Sequence, residues 1–184
     1  MATFSQANRP MGVDTTLGED VLLLEGLSGT EAVSRPFDCT LDLLSTDQGI
    51  DGSKLLRTPM RVTVKLADGG ERIIHGLVRR FTTLGRSEDL ASYRAEVVPW
   101  LWFLSLSSDC KIFQKMTVPE IVEQVFTSQG YSDFEFKLVK SYPQRLFCVQ
   151  YRESHLNFVS RLLESRPLTI FGDCLLYTSP SPRD

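Results

Sequence analysis

The sequence predicts a mainly β protein: an antiparallel barrel or sandwich of strands, followed by a mixed α+β segment. Three observations point there. Apolar and polar residues alternate with period two in "RPFDCTLDLL" and "RVTVKL", the pattern of strands with one buried face. The glycine pair of "ADGG" lies between two such patterns, where a tight hairpin turn needs positive φ. After about Leu106 the apolar spacing changes to helical, with cap residues in place.

In order along the chain, Phe37, Cys39, Leu41 and Leu43 are expected on one face of a strand, with Asp38, Thr40 and Asp42 on the other. "IDGSKLLRTP" (50–59) reads as a loop holding one helical turn. Val62, Val64 and Leu66 are expected inward, and Arg61, Thr63 and Lys65 outward. "ERIIHGLVRRF" forms the return strand of the hairpin. "SYRAEVV" places Tyr93, Ala95 and Val97 inward until Pro99 interrupts the ladder. Thr117 and Glu120 make a capping box with Pro119 tolerated in the first turn. Ile121, Val122, Val125 and Phe126 follow at helical spacing, and Gly130 stands where a C′ glycine belongs. "FEFKLV" and "LFCVQY" read as short strands around a turn at Tyr142 and Pro143. A last helix starts near Ser154 with Leu156, Val159, Leu162 and Leu163 as its apolar stripe. The order is an all-β unit, then a helix, two strands and a helix.

With 184 residues, the chain holds one domain or one and part of a second. That length buries roughly 70% of the unfolded surface, so no disulfide or metal staple is needed. The 42% hydrophobic and 23% charged content is that of an ordinary soluble globular protein. The net charge of −3 argues against a nucleic-acid surface, and Arg79-Arg80 is the one basic pair of note. "MATFSQANRPMGVDTT" has no basic region leading into an apolar one, so no signal peptide is read. The apolar run "VVPWLWFLSL" contains Pro99 and is about half of a membrane span.

Chemistry is sparse. Cys39, Cys110, Cys148 and Cys174 include no close pair, so no metal ligand set is expected and the thiols read as reduced and mostly buried. His75 sits in a strand beside Gly76 and His155 in the first turn of a helix. A hydrolase pairing Cys148 or Cys110 with a histidine is the enzymatic rival, but no spacing brings them together. Asp14, Glu19, Asp20 and Glu25 near the first strands read as solvated acids rather than a catalytic pair. "LADGGER" lacks the phosphate-loop pattern. Trp100 and Trp102 read as plugs of a core or subunit interface, not as a stacking platform. No catalytic residue, metal ligand or cofactor site is assigned.

Five stretches together resemble one family: "LLLEGLSGTEAVSRPFDCTLDLLS", "IIHGLVRRFTTLG", "YRAEVVPWLWFL", "KIFQKMTVPEIVEQVF" and "YPQRLFCVQYRESHLNFVSRLLE". They are similar, in order from about Pro10 to Glu164, to the N-terminal region of VgrG, the spike of bacterial type VI secretion systems. The resemblance implies an antiparallel β-barrel of the phage tail baseplate hub type, followed by an α/β portion of the hub. It implies a first hub barrel over 1–105 and a helix-strand-strand-helix segment over 106–173, leading into a second part of the hub that the chain does not complete.

It also implies work by assembly rather than catalysis. The expected partners are two further copies in a homotrimer, the Hcp tube hexamer, baseplate proteins, and a tip protein and effectors carried by more C-terminal chain. Nucleic acid is not among them. Assembly is expected in the cytoplasm, with expulsion by sheath contraction into a target cell or the medium. The hub of a contractile phage or phage-derived tail is the neighbouring alternative. Two departures stand out: His155 occupies a position where the family usually has an acid, and Pro167 falls near an expected glycine. "CLLYTSPSPRD" (174–184) resembles a translated sequencing-library adapter and is read as a non-native tail, leaving three cysteines and an unchanged net charge.

Overall fold

The computed structural model describes residues 4–138, 141–165, 168–170 and 175–178. Its elements are β1 (Met11–Thr15), β2 (Leu23–Ala32), β3 (Arg35–Ser45), β4 (Pro59–Lys65), β5 (Glu71–Arg86), β6 (Ala91–Val98), β7 (Ser108–Met116), α1 (Val118–Ser128), β8 (Glu135–Lys137), β9 (Arg145–Ser154), α2 (His155–Glu164), β10 (Leu168–Ile170) and β11 (Leu175–Thr178). Two compact units result: Met1–Thr30 with Phe37–Pro99, and Glu31–Pro36 with Trp100–Asp184.

The first unit is built on one six-stranded sheet in the order β1-β4-β5-β6-β3-β2. The β1–β4, β4–β5, β5–β6 and β6–β3 ladders are all antiparallel. The period-two reading of β3 holds: Phe37, Cys39, Leu41 and Leu43 are buried, and Ser45 continues the series. Opposite them lie Val97, Ala95 and Tyr93 of β6, also buried. Val13, Leu24, Met60, Val62 and Val78 bring the other four strands into the same core. That all six strands share one core is what a curled, barrel-like sheet achieves.

Two turns follow their chemistry. Asp68 Oδ1 accepts from Gly70 N at 2.9 Å while Gly69 takes φ +85°, closing the β4–β5 hairpin. Leu66, expected inward, instead starts this turn and is exposed, because β4 ends at Lys65. The predicted helical turn is a 3-10 turn at Gly52–Lys54, capped by Asp51.

β5 is 16 residues long because it serves two partners. Its first half pairs with β4 and its second with β6, and the register slips between Val78 and Arg80 and again between Thr83 and Gly85. Such irregularities bend and twist a strand, turning one sheet around a corner. Gly76 sits at the changeover; a Cβ there would meet Val98 O at 2.7 Å and Val97 Cγ1 at 2.8 Å.

The second unit packs α1 and α2 with the two-stranded ribbon β7–β9 around one core. The capping box forms as expected, with Thr117 N donating to Glu120 at 2.7 Å. At the other end Gly130 (φ +82°) donates to Thr127 O and Tyr131 to Phe126 O, a Schellman closure. β7 is an addition to the expected order. β8 and β9 do not pair with each other: β9 pairs with β7, and β8 lies parallel to β11, which pairs antiparallel with β10. The tail read as non-native contains β11; its residues 174 and 179–184, like 166, 167 and 171–173 before it, lie outside the described residues.

Candidate functional site

The sequence of β9 contains four consecutive apolar residues, "LFCV". An apolar run without alternation is the mark of a strand covered on both faces. In this structure only one face is covered. Opposed residues in an antiparallel pair share a face, and the register sets Phe113 opposite Cys148 and Lys111 opposite Gln150. Phe113, Cys148 and Gln150 are buried, and Phe113 stacks on Phe158 of α2 at 5.4 Å.

On the other face Ile112 stands opposite Val149, Cys110 opposite Tyr151 and Gln114 opposite Phe147. Ile112, Phe147 and Tyr151 are 62%, 67% and 65% exposed, and Val149 is exposed beside them. Together these side chains offer on the order of 400 Å² of apolar surface, as large as the main patch of an ordinary monomer. A bulge interrupts the ribbon near one end: Arg152 has no partner between Glu153↔Asp109 and Tyr151↔Cys110, and takes φ +50°. Its guanidinium lies 5.3 Å from the Tyr151 ring centroid, rimming the apolar face with charge.

Beneath the ribbon lies a polar pair. Ser154 caps α2 by accepting from Asn157 N at 3.1 Å, and His155 N donates to Ser107 O at 3.1 Å. The His155 ring is thereby buried, with Nδ1 3.2 Å from Gln150 Nε2, which also donates to Glu153 O at 3.0 Å. With Gln150 as donor, Nδ1 accepts and the imidazole proton belongs on Nε2. Burial pushes the His155 pKa below its ordinary value; Asp109 opposes that shift and Lys111 adds to it. α2 thus presents His155 and Phe158 inward beside the expected Val159, Leu162 and Leu163, while Leu156 is only partly buried. The buried face is therefore rotated from the expected stripe, taking in His155 and Phe158 in place of Leu156.

The other candidates are placed as follows. Cys39 and Cys148 are buried, Cys110 is exposed on the ribbon, and Cys174 lies outside the described residues. Neither Cys110 nor Cys148 is hydrogen-bonded to a histidine, and His75 is exposed on β5. Asp14, Glu19 and Glu25 are exposed; the Asp20 carboxylate accepts from Gln6 N at 3.0 Å. Among the described residues no group of three or more acids, histidines or cysteines is placed to hold a metal.

Trp100 packs edge-on to Phe126 and stacks on Tyr131 at 4.5 Å, with Nε1 donating to Asp133 O, so it is core. Trp102 meets Phe103 edge-on at 5.3 Å. Arg79 pairs with Asp38 and Glu96, and Arg80 with Glu96, which neutralises the basic pair. The ribbon's outer face is the feature that sequence reading missed, though "LFCV" carried its signal.

Residues 30–173 match the phage tail baseplate hub (GPD) family. The chain is 44% identical over 161 residues to the type VI secretion system spike protein VgrG1c of Pseudomonas aeruginosa, covering 88% of this chain and 22% of that protein. It is 42% identical over 159 residues to spike protein VgrG1a of the same organism, covering 86% and 25%. Among solved structures it is similar to the E. coli c3393 protein, described as a component of the type VI secretion system with structural similarity to T4 bacteriophage tail proteins gp27 and gp5. That likeness has a TM-score of 0.73 at 27% identity and covers 94% of this chain and 48% of that chain. The chain spans about a quarter of the length of these curated relatives.

Proposed function

The chain belongs to the phage tail baseplate hub family, and from that premise we propose that it serves as a hub subunit of a type VI secretion spike. It works by assembly and not by catalysis. Three copies form a ring that seats on the Hcp tube hexamer, held by baseplate proteins until sheath contraction drives it out. Two similar barrels per subunit in a trimer would match the sixfold tube, and the tip protein and effectors would attach through more C-terminal chain. The spike assembles in the cytoplasm and is expelled into a target cell or the medium. The similarity to secretion spike proteins favours this reading over a phage-tail hub.

The observation that carries it is the apolar outer face of β7–β9, a surface built to be covered when a hub is assembled. The test is a strain whose secretion apparatus relies on this protein alone as its spike subunit. Ile112→Glu with Val149→Glu should abolish Hcp release into the medium. Undiminished release by a stably expressed double variant would overturn the assignment of this face.

A further inference from the structure

The sheet order leaves β1 and β2 at its two ends, so each should present a row of unpaired backbone groups. Yet Val13 of β1, Leu24 of β2 and Leu22 just before β2 are at most 5% exposed. What lies between these strands is one side chain, Gln6. Its Oε1 accepts from Val13 N at 2.9 Å and from Leu24 N at 3.0 Å. Its Nε2 donates to Val13 O at 3.2 Å and to Leu22 O at 3.2 Å.

A primary carboxamide has two N–H donors and two acceptor lone pairs, and all four are met by the main chains of the two edges. The amide therefore stands as one rung in a ladder whose uprights are β1 and β2. The opposite orientation would set an NH₂ group against two backbone N–H groups, so the arrangement also fixes which way the amide points.

The flanking residues hold the segment down. Gln6 N donates to Asp20 Oδ1 at 3.0 Å, Arg9 Nη1 to Leu24 O at 3.2 Å, and Lys65 Nζ to Ala7 O at 3.4 Å. The Asp20 carboxyl is held below its usual range, first by the Gln6 backbone N–H and then by Ser5. The Cβ position of Gly12 lies 3.8 Å from the Gln6 side chain, so the amide is seated against β1 and not above it.

We propose that the N-terminal segment is a clasp: residues 4–9 close the six-stranded sheet into a ring through the Gln6 carboxamide, and lifting it opens two strand edges to pairing with another chain. An ordinary N-terminal extension would satisfy its glutamine with water. This one satisfies four backbone groups on two elements that are not paired with each other.

Residue-resolved hydrogen exchange on the full chain tests the clasp. In the unaltered protein the amides of Val13 and Leu24 should be protected to within about tenfold of those in β6, which is paired on both sides. Gln6→Met keeps the length and packing but removes the four bonds. It should speed exchange at Val13 and Leu24 by at least about tenfold while β6 stays protected. Unchanged protection at both amides in Gln6→Met overturns the clasp. So does exchange at loop rates for Val13 and Leu24 in the unaltered chain, a result that needs no variant to fold.

Discussion

His155 shows how one buried ring couples stability to pH. Its folded pKa lies below the ordinary 6.5 because burial disfavours the imidazolium. When pH falls below 6.5 the unfolded chain takes up a proton first, so the equilibrium shifts towards unfolding until the folded pKa is also passed. Above 6.5 both states are neutral and the contribution is fully present. Protonation at Nδ1 would also set two donors face to face, since Gln150 Nε2 already donates there. The carboxylates held low, such as Glu120 and Asp20, lose their contributions only in the more acid range below 4.5 and 3.8. Denaturation midpoints at about pH 7.5 and about pH 5 isolate the histidine, and the more acid sample should be the less stable. His155→Asn should flatten that difference; equal midpoints in the unaltered chain would sink the assignment. At the start of α1, Thr117→Ala removes the side-chain half of the capping box and should cost about 1 kcal/mol by the same measurement.

At the scale of elements, β5 is where backbone space decides. Gly76→Ala would press a methyl group against Val98 O, Val97 Cγ1 and the Phe37 ring at 2.7, 2.8 and 3.1 Å. Because the nearest of these is backbone in a paired strand, relief must come from moving β6, and a loss of about 2 kcal/mol is expected. Gly85→Ala, in the same strand with nothing within 4 Å of its Cβ position, is the control and should be nearly silent. Comparable losses at both positions in urea titrations would refute the close-approach explanation. The strands with one covered face were legible because period two survives in sequence: Phe37 to Leu43 and Tyr93 to Val97 point as read. Where the pattern breaks, reading failed for identifiable reasons. In β7 lysines, aspartate and glutamine surround Ile112 and Phe113, so no alternation shows until β9 is set beside it. In β9 an unbroken apolar run hides which face is which. Gln6 gave no signal, because an amide that replaces a ladder rung looks like any polar residue in a loop.

For the whole molecule, the balance between apolar exposure and charge sets behaviour in solution. The net charge of −3 provides weak repulsion between copies, and on the barrel some charges pair with one another: Arg79 with Asp38 and Glu96, Arg94 with Asp42. Against this stands the ribbon's outer face, with Phe147 and Tyr151 two-thirds exposed on a two-stranded sheet. A patch on the order of 400 Å² rimmed by a bulge and an arginine is poised to be covered by apolar surface, from a hub neighbour or from another copy of the chain. The isolated 184-residue chain should therefore self-associate as its concentration rises. Phe147→Glu removes the most exposed ring of the patch and makes the net charge more negative, so it weakens the attraction and strengthens the repulsion together. Lys54→Glu changes charge by a larger step on an exposed turn that is not part of the ribbon, and so separates the two effects. Light scattering against concentration should fall markedly for Phe147→Glu and little for Lys54→Glu. If both fall alike, net charge and not the ribbon governs association; if neither falls, the outer face of β7–β9 is not a sticking surface at all.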